Sequence, residues 1–374
     1  MANIGFDAKR AFLNFSGLGN YSRSLIEGLS YFHPYNKYYL YTPPFDPSNK
    51  RLTFVDKENI QIVKPSGINK ILPSSFWRSN SINSNLKKDK IDLFHGLSGE
   101  LPASKITCPQ IVTMHDVIFL RYPHFYKTID RKIYEQKFRA ACKRADKIIA
   151  ISKQTADDLI NFLDAPANKI EIIYQGCDKI FYNSPSQEQK DAVKNKYNLP
   201  DNYILNVGTI EERKNLVGVI KALHKLPEHV HLVALGRTSS YINEVNAAIN
   251  ELKLQNRVRI ISNASFADFP AIYSQAIALT YVSFFEGFGI PVLEGLTVGV
   301  PVITSNLSSM PEAGGDAAFY VNPNIPEEIS EQVNMILSSP TVRSTAIEQG
   351  ITFAENFKEQ KVIENIYKLY KEYI

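Results

Sequence analysis

The chain of 374 residues is 44% apolar and 21% charged with a formal net charge of +4, the balance of a globular protein with room for two domains of roughly 180 residues each. So small a net charge argues against a general nucleic-acid role, and no run of about 18 apolar residues exists that could span a bilayer. Cys108, Cys142 and Cys177 are odd in number and far apart, which argues against a disulfide framework or a zinc site and fits a reducing cytoplasm.

The first residues, Met1 to Asp7, include an early aspartate and read as a strand, so the expectation is a protein neither secreted nor membrane-spanning. Further strands are predicted near 38–41, 60–63, 91–94, 110–114, 147–151 and 170–174, with helices over 21–31, 129–144 and 153–162. Basic residues cluster at Lys70, Arg78, Lys87, Lys88 and Lys90 and again over 127–147; they fit solvated helix faces, an anionic membrane surface or a pyrophosphate-linked acceptor. A polar stretch over 181–201, bounded by Pro185 and Pro200, is predicted to be a linker. Strands then resume near 203–207, 231–235, 258–261, 276–282, 301–304 and 317–320. Residues 355–374 are strongly helical, with Ile363, Ile366, Tyr367, Tyr370 and Ile374 at helical spacing. Such alternation gives an α/β class with two Rossmann-like, doubly wound parallel sheets facing across a cleft, over residues 1–182 and 183–354.

Several strand ends carry residues suited to chemistry. Asn14 to Tyr21, with Gly17 and Gly19, follows the first strand, yet Ser22 stands where a dinucleotide fingerprint needs its third glycine. It is either a plain strand-to-helix loop or a set of backbone amides at a helix start. Thr113-Met114-His115-Asp116 ends another strand and points His115 toward a ligand crevice, unless it is a satisfied structural histidine; His95 has a weaker claim of the same kind. Gly208-Thr209 leads to Glu211-Glu212-Arg213-Lys214, whose two cations suit a diphosphate leaving group or surface ion pairs with their own glutamates. Gly236-Arg237 and the stretch from Ile261 through Asn263 and Ala264 to Phe266 each end a strand and are further places for phosphate or base contacts. In Phe285 to Glu294, a turn with Gly287 and Gly289 runs into a helix begun by Pro291. Its amides can face an anion, while Glu286 and Glu294 either accept sugar and ribose hydroxyls or complement the helix dipole. No Asp-x-Asp pair, metal-ligand spacing or Gly-x-Ser-x-Gly elbow occurs, so neither a metal nor a serine nucleophile is implied.

The run Glu286-Gly-Phe-Gly-Ile-Pro-Val-Leu-Glu294, continuing through Gly299-Val-Pro-Val-Ile303 to Met310-Pro-Glu-Ala-Gly-Gly-Asp316, closely resembles the signature of glycosyltransferase family 4, retaining transferases of the GT-B fold. The resemblance implies a cytoplasmic, metal-independent transferase that uses a nucleoside-diphosphate sugar and no cofactor. By it, Glu286 holds sugar hydroxyls, and Glu294 the ribose. Lys214, Arg213 and the amides around Gly287, Phe288, Gly289 and Ile290 hold the diphosphate. The loop at Gly17 and Gly19, with Gly208, Thr209, Arg237, Asn263 and Ala264, completes the donor site, and His115 touches the donor sugar from the opposite domain after closure. Thr209 is a departure, because many members carry an arginine there. The last helix is expected to cross back to the first domain. Acceptor contacts fall on Trp77, Asp116, Arg121 and Tyr122, which suit an oligosaccharide or a lipid-linked saccharide at a membrane face. The form around Lys214 resembles members that build bacterial surface polysaccharides, often with GDP-mannose. Rival readings are a GT-B epimerase or phosphorylase and a non-catalytic binding module.

Overall fold

The computed structural model describes residues 1–374 apart from residues 15 and 49–51; residue 15 of the Asn14 to Tyr21 stretch therefore lies outside the described residues. The chain forms two compact units, Met1–Gln175 with Glu359–Ile374, and Gly176–Lys358.

The first unit is a seven-stranded sheet of β1 (Asn3–Asp7), β2 (Lys37–Tyr41), β3 (Ile60–Val63), β4 (Leu93–Gly96), β5 (Gln110–Met114), β6 (Lys147–Ala150) and β7 (Ile170–Ile172), in the order β3-β2-β1-β4-β5-β6-β7. Every described pairing is parallel, as Ile4 with Leu93 and Ile111 with Lys147 show. β5 is buried along its whole length, which explains its continuous apolar pattern: helices cover both faces. The second unit repeats the plan with β8 (Tyr203–Val207), β9 (His231–Leu235), β10 (Val258–Ile261), β11 (Ala278–Tyr281), β12 (Val302–Ser305) and β13 (Phe319–Val321), in the order β10-β9-β8-β11-β12-β13. In both sheets the order reverses beside the first strand, at β1/β4 and β8/β11, and ligands bind at such points outside the carboxyl ends. Among the described residues no helix is long and apolar enough to cross a membrane.

The last helix, Glu359–Tyr370, packs on the helix Gly17–Phe32 of the first unit. Four residues on its buried face fix it there. Ile363 lies so close to Gly28 that a Cβ there would be 2.7 Å from its side chain. Tyr367 stacks on His33 with ring centroids 3.6 Å apart and accepts a hydrogen bond from Asn36. Ile366 and Tyr370 complete the apolar contact.

Three expectations are corrected. The stretch over 181–201 is no linker: Ser186 and Gln189 form a reciprocal capping box that starts the helix Gln187–Tyr197, which ends at left-handed Asn198. That helix buries only Val193, so its composition looks like a loop's, and the division between units falls earlier, after Gln175. The glycines after β1 are no loop either. A short helix, Lys9–Leu13, is followed at once by the helix starting at Gly17. Gly19 sits where a Cβ would come 1.7 Å from the Asn14 carbonyl oxygen, and its amide donates to the Asn14 side chain. It is a packing glycine, whereas a Cβ at Gly17 would meet open space. Trp77 is fully buried in the core with Tyr41 and Phe94, its indole N–H donating to Asn85, so its ring cannot stack on an acceptor.

Candidate active site

In the second unit, chemistry gathers where β8 and β11 end. After β8 the chain turns at Gly208, whose φ of +122° suits glycine, and a Cβ there would lie 2.9 Å from Lys214 Cε. That space lets Lys214 fold back along the strand end. The turn Glu212–Lys214 closes at left-handed Asn215, which caps the next helix by accepting from the Gly218 amide and donates to the Pro323 carbonyl. Lys214 Nζ donates to Tyr281 at 2.6 Å and to Glu286 Oε1 at 2.8 Å. Arg213 reaches the other carboxylate oxygen at 2.5 Å and also holds Glu211 and the Phe285 carbonyl. Tyr281 and Ser283 each donate to Glu286 Oε1, at 2.7 and 3.1 Å.

Lys214, Tyr281 and Ser283 thus meet Glu286 on Oε1 and Arg213 meets it on Oε2. Burial alone would raise its carboxyl pKa, but Lys214 and Arg213 outweigh it and hold the group well below the usual carboxylate range. Burial opposes the charge on Arg213, and Glu286 with Glu211 more than restores it. The backbone of the turn is fastened too: Ser308 donates to the Glu286 carbonyl, and Ser309 bridges the carbonyls of Glu286 and Phe288. Phe288 is buried against Phe357, so it offers the site only its backbone. The helix Ile290–Val298 begins at Gly289, whose φ is +109° and whose missing side chain leaves the first turn without a side-chain cap. A helix start of that kind favours an anion.

Glu294 lies farther along this helix, buried, and accepts from Tyr273 at 2.6 Å. Burial pushes its carboxyl up to about 7, with the Asp178 charge adding to the rise and the Tyr273 hydrogen bond opposing it. Since this folded-state value exceeds the ordinary 4.5, the native state binds the extra proton, and stability present below pH 4.5 declines as pH rises through 7. Glu294→Gln is accordingly expected to raise the melting temperature by a few degrees at pH 8 and to leave it nearly unchanged at pH 5, checked by calorimetric scans at both values.

Of the remaining donor residues, Thr209 and Ala264 are half-buried, while Arg237 and Asn263 are exposed at their strand ends. In the first unit, His115 is half-buried; its Nε2 lies 3.0 Å from the Leu97 carbonyl and its Nδ1 3.4 Å from the Gln175 amide nitrogen. That pairing sets a neutral ring with the proton on Nε2. Burial lowers its pKa to about 4, so the ring can orient a ligand but does not act as a proton store at neutral pH. His95 is structural, bridging Thr113 and Tyr370 at 2.8 and 2.5 Å. Asp116 accepts from the Ile118 amide, Arg121 is tied to buried Asp158, and Tyr122 is half-buried beside His124 and Phe125. Sequence reasoning missed Tyr273, Tyr281, Ser283, Ser308 and Ser309. The one available signal was Asn306-Leu-Ser-Ser-Met310, a polar pair between a strand and a helix start.

Residues 15–179 match the family model described as Glycosyltransferase Family 4, and residues 187–353 that described as Glycosyl transferases group 1. The chain belongs to glycosyltransferase family 4. This glycosyltransferase is 27% identical over 291 residues to O-antigen chain mannosyltransferase B of Escherichia coli, covering 76% of each chain. It is also 27% identical over 215 residues to the O-antigen chain mannosyltransferase RfbU of Salmonella typhimurium, covering 58% of this chain and 57% of that one. Among solved structures, Anabaena HepE in complex with UDP and glucose superposes with a TM-score of 0.75 at 16% identity over the whole of both chains. The fold of the glycosyltransferase is GT-B, as expected.

Proposed function

We propose that this glycosyltransferase moves a hexose, with retention, from a nucleoside-diphosphate sugar to a saccharide or lipid-linked saccharide in surface polysaccharide synthesis, at the cytoplasmic face of a membrane. The O-antigen mannosyltransferases among its relatives favour GDP-mannose as donor. The observation that carries the reading is the half-buried cluster of Lys214, Arg213 and Glu286 at the start of the helix Ile290–Val298, which has no side-chain cap. A diphosphate leaving group gains negative charge in the transition state, and fixed cations and amide dipoles stabilise that gain without reorganising. In this reading Lys214 meets the diphosphate, and Arg213, engaged on three sides, braces Glu286. Glu286 accepts sugar hydroxyls beside Tyr281. Ionised Glu294 accepts the two ribose hydroxyls, and the neutral ring of His115 orients the sugar. These residues need neither a cofactor nor a metal for the chemistry described.

Calorimetric titration of GDP and of UDP into the protein without added metal tests the reading. Preference for GDP, lost in Glu294→Ala and strengthening as pH rises through about 7, is the expected result. Preference for UDP would replace the donor and leave the transferase standing. Binding of neither would remove the basis for a donor site.

A further inference from the structure

A cleft of about 510 Å³ opens at the amino-terminal ends of β5 and β6, where Lys105, Ile106, Cys108, Gln110, Arg144 and Asp146 line it. That is ample for a small molecule. Gln110 begins β5 and His115 follows its other end, so the length of a five-residue strand, about 16 Å, separates the cleft from the side of the sheet that His115 occupies. Its wall is short of hydrogen-bond partners. Seven buried side-chain polar atoms lack one among the described residues, and four of them gather here: Gln110 Oε1, Arg144 Nε, Ser104 Oγ and Asn83 Oδ1. Ser104 stands between Ala103 and Lys105 of the lining, and Asn83 donates to the Lys105 carbonyl at 2.9 Å.

A buried polar group without a partner costs stability, and folded proteins carry few of them. Four around one cleft have a common explanation in a ligand that completes them. Gln110 is only 8% exposed, and its backbone amide donates to Asp146 at 2.7 Å, which fixes the root of the side chain at the strand start. Its Oε1, like Asn83 Oδ1, needs a donor such as a hydroxyl. Arg144 Nε needs an acceptor oxygen, and the Ser104 hydroxyl can donate to one. Burial lowers the Arg144 pKa with no carboxylate offsetting it. Lys105 and Arg144 against Asp146 leave the lining with one positive charge in excess, which favours an anion. Cys108 adds no reactive thiolate at neutral pH, because burial pushes its thiol up to about 11.

We propose that this cleft is a second ligand site, for a small phosphorylated sugar whose hydroxyls reach the Gln110 and Asn83 oxygens while its phosphate meets Arg144 and Lys105. It does not depend on the donor reading. Calorimetric titration of glucose 6-phosphate and of mannose 1-phosphate into the full chain, held in excess GDP and UDP, tests it. At least one of the two is expected to bind about tenfold more tightly than inorganic phosphate, and free glucose to give no binding. Lys105→Gln and Arg144→Met should each weaken that binding about tenfold, whereas Lys214→Ala should leave it unchanged. Gln110→Met should lose it as well, yet melt a few degrees higher than the wild type, because the change removes an orphaned oxygen. Binding of neither hexose phosphate, or inorganic phosphate binding as tightly as both, would overturn the inference. So would binding that survives in Lys105→Gln and Arg144→Met, or in Gln110→Met.

Discussion

Lys214→Ala is expected to lower turnover about a thousandfold while weakening nucleotide binding far less. Lys214 Nζ sits 2.8 Å from Glu286 and 4.8 Å from the centre of the Tyr281 ring, inside a pocket of low exposure, where a fixed cation acts with little screening. The ground-state diphosphate already carries charge and meets the helix start as well, so binding keeps much of its strength. The extra charge that develops as the glycosidic bond breaks is what the missing ammonium would have met. Steady-state rates with the donor, beside calorimetric nucleotide affinity, separate the two. A variant with equal losses in both would make Lys214 a binding residue only. Arg213 remains on Glu286 in this variant, so a normal melting transition is expected and confirms that lost turnover is not lost folding.

Glu286→Ala carries the second large effect and acts on stability as well as activity. The carboxylate neutralises Lys214 and Arg213 and accepts from Tyr281 and Ser283. Removing one partner of a half-buried charge cluster strands the others, at a cost of about 2–3 kcal/mol, less than the loss at a fully buried pair. The expected result is a lower urea midpoint at pH 7 together with turnover reduced at least a hundredfold. The pH sign follows from its depressed pKa. Its stabilising contribution is present above the ordinary value of 4.5 and is lost as pH falls below it. Wild type and variant should therefore converge well below pH 4, as the pH approaches the depressed folded value, and a gap at about pH 2 equal to that at pH 7 would show that Glu286 stabilises by packing and not by charge.

The parts of the site that were legible are those whose chemistry is written locally. Gly287, Gly289 and Pro291 announce a turn into a helix by their backbone preferences alone, and Glu286 and Glu294 follow at fixed spacing. The parts that were not legible come from elsewhere in the chain. Ser308 and Ser309 reach the Glu286 carbonyl only because β12 lies parallel to β11, with Tyr281 opposite Thr304. Tyr273 reads as an ordinary apolar helix residue until its hydroxyl is found on Glu294. Trp77 misled for a related reason: beside Arg78 it looked like a surface ring, but a π-helical turn over Trp77–Ser81 points both side chains inward. Arg78 then pairs with Asp7 and Glu100.

By itself, the sequence determined the two α/β units, the strand order in chain sequence, and the helix starts where glycine, proline and carboxylate meet. Periodicity and backbone preference act over a few residues and survive without any tertiary context. Only the tertiary structure decided which charges are used for what. Arg213 and Lys214 are neighbours in sequence, yet one is engaged by two glutamates and a carbonyl while the other lies along Tyr281 and Glu286. Whether a cation or a carboxylate is free, paired or desolvated depends on groups brought to it by parallel pairing across a sheet, and that pairing joins residues far apart in the chain.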